Sequence, residues 1–178
     1  MEKERLKLIK PTAAYKEQVM AYRDAMLKNG DSLDGCAGLE DVDSFSQWMD
    51  LERRLRARYK DGYVPSDVFL AIRQEDDVLV GMIDLRHHLS PFLRQFGGHI
   101  GYSVHPAERR KGYAAEMLRL LLPICRELGK ERVLLTCGQE NEASRRTILR
   151  NGGVLEDEIA APAGLGSRKI TQRYWIAV

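Results

Sequence analysis

Residues 99–137 read HIGYSVHPAERRKGYAAEMLRLLLPICRELGKERVLLTC. The run His99–Val104 has strand character, and a turn through Pro106 and Gly112 leads into a helical repeat with Ala115, Leu118, Leu122, Cys125 and Leu128 on one face. Pro123 removes a backbone donor inside that helix and should kink it, and Gly129 should end it. Arg132–Cys137 then reads as a buried strand. A strand, helix and strand in this order imply a right-handed crossover joining two parallel strands.

The elements on either side are of another kind. Upstream, residues 5–10 alternate as an opening strand. A helix starting at Pro11-Thr12 carries Tyr15, Val19, Tyr22 and Met26 and stops near Asn29-Gly30. The stretch 31–43, DSLDGCAGLEDVD, reads as a loop. Ser44 with Gln47 predicts a capping box for a helix bearing Phe45, Trp48, Leu51, Leu55 and Tyr59. Residues 68–72 and 79–85 read as two strands joined by an acidic turn at 75–77. Downstream, Asn141 predicts the cap of a short basic helix closed by Asn151-Gly152-Gly153. Residues 154–160 and 168–177 form a terminal hairpin around Gly164-Leu165-Gly166. Hairpins flanking one crossover predict a mixed α/β layer fold, not a doubly wound one.

The 178 residues suit one domain, 1–178, with no repeat or linker dividing it. A net charge of +2 implies neither a nucleic-acid nor a membrane partner. Cys36, Cys125 and Cys137 are odd in number and form no CxxC, which argues against a disulfide framework and fits a cytoplasmic protein. The first ten residues, MEKERLKLIK, are charged where a signal peptide would be apolar.

Chemistry concentrates in the turn before the long helix. Arg109, Arg110 and Lys111 surround Gly112, Tyr113 and Ala114 at a helix N-terminus, where unpaired amides and the helix dipole favour a phosphate or pyrophosphate. A glycine there lets the chain come close to such a ligand. The same residues also suit a basic, solvated turn.

With Val104-His105-Pro106 before this loop, and Asn141-x-x-Ser144 with Gly152 after the next strand, the sequence resembles the GCN5-related N-acetyltransferase (GNAT) superfamily. The resemblance implies a mixed, mostly antiparallel twisted sheet of about seven strands, a splayed parallel central pair and about four flanking helices. It also implies acetyl-CoA as acyl donor. Its pyrophosphate would lie on the amides of Arg109–Ala114 and its pantetheine arm would run beside Val104 and Asn141. The acceptor would be a primary amine of a small molecule or peptide, and the protein a monomer or homodimer.

Acyl transfer to an amine needs a base, an oxyanion donor and a proton for the leaving thiolate, since an amine of pKa about 10.4 is protonated at neutral pH. His99 is one candidate base, ten residues before Arg109, near where the family places a Glu in some members. Asp84, a carboxylate in the apolar run Gly81–Leu85, is the second; it could equally pair with Arg86. His87 and His88 could line an acceptor pocket or be solvated. No metal site is expected, because the histidines lack partners at ligand spacing. In many family members a Tyr stands seven residues after the Asn as acid, and here that position is Ile148. Ser144, Tyr174 or a water are the substitutes, and Cys137 reads as a buried apolar group. The acidic residues of 31–43 could attract a cationic acceptor or simply be solvated. Two other readings are a non-catalytic acyl-CoA-binding module, motivated by Ile148, and a nucleotide site at Gly164–Gly166, which lacks the strand–glycine–helix context.

Overall fold

The computed structural model describes residues 4–57, 64–165 and 168–178. Seven strands and four α-helices follow one another as β1 (Leu6–Ile9), α1 (Lys16–Lys28), α2 (Phe45–Ala57), β2 (Ser66–Arg73), β3 (Val78–Arg86), β4 (Ile100–Val104), α3 (Tyr113–Glu127), β5 (Arg132–Gly138), α4 (Glu142–Arg150), β6 (Val154–Ala160) and β7 (Ile170–Ala177). Every strand and helix expected from the sequence is present. Tyr59 and Gly166, and the side chain of Leu55, lie outside the described residues.

Hydrogen bonding divides the expected seven-stranded sheet into β1-β2-β3-β4 and β5-β7-β6, antiparallel throughout. The division falls between β4 and β5. They meet only where β4 begins: the His99 N–H donates to the Leu134 carbonyl at 2.7 Å, and the Leu134 N–H donates to His99 Nδ1 at 2.8 Å. Gly98, in the left-handed region at φ 68°, permits this approach, since a Cβ there would stand 2.6 Å from the Leu134 oxygen. Beyond this point the strands splay, and among the described residues the facing edges of both lack a strand partner.

Two apolar clusters hold the layers. One packs α3 on the sheets through Met117, Leu118, Leu121 and Cys125 against Leu85, Ile100, Val133 and Leu135. The other packs α1 and α2 on the opposite face of the first sheet through Tyr22, Met26 and Trp48 against Leu70 and Met82. The buried face of α3 thus differs from the expected one. Leu118 and Cys125 are shared, but Met117 and Leu121 take the core while Leu128 is exposed. Both stripes satisfy helical spacing, and the position of β1 selects between them. Glu116 lies on the buried face, where its carboxylate accepts the Arg5 and Leu6 backbone N–H groups at 2.7 and 2.9 Å and the Arg5 guanidinium. α3 runs unbroken through the exposed Pro123.

Ahead of α1, a 3-10 turn at Ala13–Tyr15 precedes the α-helical residues, and Val19, Tyr22 and Met26 are buried as expected. The predicted capping box at α2 is present with one change: Ser44 Oγ accepts the Gln47 N–H, while the Gln47 side chain reaches the N–H of Asp43 rather than that of Ser44. The loop between the two helices is pinned to the sheet. The Trp48 indole donates to the Cys36 carbonyl at 2.8 Å, and a Cβ on Gly35 would stand 2.5 Å from the Gly101 oxygen. No helix among the described residues is long and apolar enough to cross a membrane.

Candidate active-site cleft

The splay opens a cleft of about 1180 Å3, walled by β4, the loop before α3, the start of α4 and the 31–34 loop. At one end, Gly112 caps α3 in the left-handed region (φ 81°), and Arg110 is also left-handed (φ 62°). No side chain caps the helix, and among the described residues the backbone N–H groups of Lys111 to Ala115 have no acceptor. These orphan donors are the physical content of an anion site at a helix start. The need for glycine at 112 comes from its backbone angle: a Cβ would meet only Arg5 Nη2, at 3.6 Å.

The three expected cations behave differently from one another. Arg109 is a strut, donating to Asp31 Oδ2 at 2.6 Å and to the Val104 carbonyl at 3.2 Å. Lys111 pairs with Glu108 and does not line the cleft. Arg110 lines it with no carboxylate partner among the described residues, and so does Arg150 from α4, which the sequence reading did not single out. The signal for Arg150 was the basic character of the short helix after Asn141, but only the packing of α4 beside the loop turns it toward the cleft.

Midway along the cleft, Asn141 caps α4 by accepting the Ser144 N–H at 3.1 Å; its side-chain NH2 has no partner among the described residues. One residue set from each splayed wall meets here. The Tyr102 hydroxyl from β4 lies 2.8 Å from Ser144 Oγ on α4, and both line the cleft. Burial raises the Tyr102 phenol well above its ordinary value, against the lowering effect of the Ser144 bond, so it stays protonated. Ile148, one turn further along α4, is buried in the core against Gly153 and faces away from the cleft. Tyr174 is buried and donates to Gln172 Oε1, also away from it. Cys137 lines the cleft from β5, with burial pushing its thiol up to about 11.

The two candidate bases are placed apart. Asp84 lies on the face of β3 that carries the 31–36 loop; its Oδ1 accepts the Gly101 N–H at 2.8 Å and Oδ2 is 3.5 Å from Arg86. Burial raises its carboxyl above the usual range, with Arg86 and the Gly101 N–H pulling the other way. It sits directly behind Gly101, which lines the cleft and whose absent Cβ would be 3.0 Å from Asp84 Oδ1. His99 does not line the cleft. Its Nδ1 is committed to Leu134 as an acceptor, and burial, then Lys130, Arg86 and Arg94, depress it to about 4. His87 is likewise turned away, bonded to Asp67 at 2.7 Å.

The depressed His99 has a thermodynamic consequence. Below about 6.5 the unfolded chain takes up a proton that the folded chain refuses until about pH 4, so stability contributed by neutral His99 is full above 6.5 and lost as pH falls toward 4. The loss is about 3 kcal/mol. His99→Asn keeps an acceptor for the Leu134 N–H but cannot titrate. Urea unfolding at pH 4 and 7 should therefore show a smaller acid loss in the variant, by about that amount. Equal losses would show that His99 does not govern this window.

Comparison with known proteins accords with this geometry. Residues 5–154 match the acetyltransferase (GNAT) domain family. No curated protein sequence matches the chain. Among solved structures, the microcin C7 self-immunity acetyltransferase in complex with acetyl-CoA and AMP is similar, with 17% identity, TM-score 0.70, and 99% of this chain and 94% of that one covered. A ribosomal-protein alpha-N-acetyltransferase in complex with coenzyme A is 19% identical, with TM-score 0.70 and 99% and 96% covered. A GNAT-family acetyltransferase from Bacillus anthracis is 22% identical, with TM-score 0.63 and 99% and 97% covered. With the family domain spanning most of its length and the orphan amides and splayed strands in place, this chain belongs to the GNAT family and is an acetyl-CoA-dependent N-acetyltransferase.

Proposed function

We propose that the chain transfers an acetyl group directly to a primary amine of a small molecule or peptide that approaches from the 31–34 side of the cleft. The observation that carries this reading is that the unpaired amides of Gly112–Ala115 and the hydrogen-bonded Tyr102–Ser144 pair share one cleft. When bound, acetyl-CoA supplies an activated thioester. The Gly112–Ala115 amides with Arg110 and Arg150 suit its pyrophosphate, and the free amide of Asn141 and the open edge of β4 near Val104 suit its pantetheine arm. Ser144 Oγ gives its proton to the departing thiolate, the Tyr102 hydroxyl replaces it, and the phenol is reprotonated from water in the cleft before release. Asp84 is the base of this scheme although it lies behind the cleft wall rather than in the cleft: its carboxyl, made more basic by burial, takes the amine proton through a water that reaches it past Gly101. His99 has no part in this scheme, because its Nδ1 is committed to the Leu134 N–H and it lines the separate depression at the other end of β4.

The acceptor's charge follows from Asp34. Among the described cleft-lining carboxylates, Asp31, Glu108 and Glu142 each pair with a cation, whereas Asp34 is bonded only by the Ser32 hydroxyl. Asp34 thus favours an acceptor that arrives protonated. Asp34→Asn should raise the acceptor KM about threefold to tenfold, leave kcat nearly unchanged, and lose its effect in high salt. The reading as a whole is tested with an amine and peptide panel plus acetyl-CoA, following free thiol release. Coenzyme A binding without turnover on any amine would favour a binding module instead.

A further inference from the structure

A second depression, of about 650 Å3, lies at the opposite end of β4 from the Arg109–Ala114 loop. The five residues of β4 separate the two by roughly 15 Å. It is lined by His88, Arg94, His99, Arg132 and Trp175 among others, and by no carboxylate among the described residues.

The groups gathered here are donors. The Arg94 and Arg132 guanidiniums have no hydrogen-bond acceptor and no ion-pair partner among the described residues, unlike Arg86, Arg168 and Arg173 nearby, which are bonded to backbone carbonyls or carboxylates. Arg132 lies over the Trp175 ring, 4.2 Å from its centroid, so its planar fork is held in place before any ligand arrives. His99 Nδ1 accepts the Leu134 N–H, so in the neutral ring the proton sits on Nε2, making that nitrogen a donor. Trp175 lines the depression, and its Nε1, itself buried, has no acceptor among the described residues, so its N–H reports on the site without donating into it. The depression of His99 by Lys130, Arg86 and Arg94, after burial, independently reports the positive potential on this side of the molecule.

We propose that this depression is a binding site for a phosphate-class dianion, held between the Arg94 and Arg132 guanidiniums beside His99 and Trp175. Two unpaired guanidiniums match an anion with two charges and at least three acceptor oxygens; a single carboxylate would satisfy one fork and leave the other. The occupant is either free phosphate or the phosphoryl end of a small metabolite. The assignment does not depend on the acetyl-transfer reading, since it uses none of the cleft residues.

The test uses the full chain saturated with coenzyme A, so that the cleft cannot take the added anion. Inorganic phosphate and, separately, a sugar phosphomonoester are titrated while the indole N–H resonances of Trp48 and Trp175 are followed. Either anion should shift Trp175 saturably and leave Trp48, which is bonded to Cys36, in place. Tighter binding of the ester would identify a phosphorylated metabolite as the source, and tighter binding of the inorganic ion would identify free phosphate. Arg94 and Arg132 are both exposed, so Arg94→Gln/Arg132→Gln keeps the fold, and its affinity should fall at least about tenfold. No Trp175 shift with either anion up to about ten millimolar, or wild-type affinity in the double variant, would overturn the proposal.

Discussion

Gly112→Trp is expected to abolish coenzyme A binding while leaving the chain folded. Gly112 sits at φ 81°, where an L side chain costs about 1–2 kcal/mol, and its Cβ would meet nothing closer than Arg5 Nη2 at 3.6 Å. The variant therefore folds, with a modest loss of stability. Relief of that strain rotates the peptides on either side and disperses the Gly112–Ala115 amides, while the indole covers the space they face. Each charge-assisted bond to a pyrophosphate contributes about 1.5–3 kcal/mol, so losing two of them lowers affinity by about a hundredfold or more. Calorimetric titration with coenzyme A, paired with a thermal melt, reads both effects. Unchanged affinity in a folded variant would remove the loop from the cofactor site.

Ser144→Ala should lower kcat by about a hundredfold to a thousandfold with little change in KM for acetyl-CoA, the signature of a group that acts in proton transfer rather than in binding. Tyr102→Phe keeps the Ser144 hydroxyl but removes its 2.8 Å partner, and should cost less, about tenfold. The double variant should be little slower than Ser144→Ala alone, because the two hydroxyls act as one unit. Additive losses, or a Ser144→Ala enzyme with wild-type kcat, would separate Tyr102 and Ser144 and return the proton to water. A water-supplied proton would also leave kcat indifferent to Tyr102.

The 31–36 loop shows why the acceptor end is harder to read than the cofactor end. Nothing in DSLDGC states which carboxylate is free. That depends on Arg109 reaching across from another element to neutralise Asp31, and on the Gly35 backbone packing on β4, which sets Asp34 beside the cleft. Ile148 teaches the same lesson in reverse. Its place seven residues after Asn141 suggested a missing acid, yet the fold puts that position in the core and supplies a hydroxyl from Ser144, a turn earlier, paired with one from another strand.

By itself the sequence determined the order and kind of the seven strands and four α-helices and the glycine-centred helix start at 109–114, because these rest on local periodicity, caps and turn chemistry. Tertiary structure alone decided which residues share a site. It turned Met117 and Leu121 inward in place of Leu128, and it occupied Arg109 and Lys111 while leaving Arg110 and Arg150 open. It also took His99 out of the cleft by giving its Nδ1 to Leu134, and it joined Tyr102 to Ser144. Each of these depends on a partner tens of residues away, and the spacing of residues along one chain carries no record of which distant partner will be there.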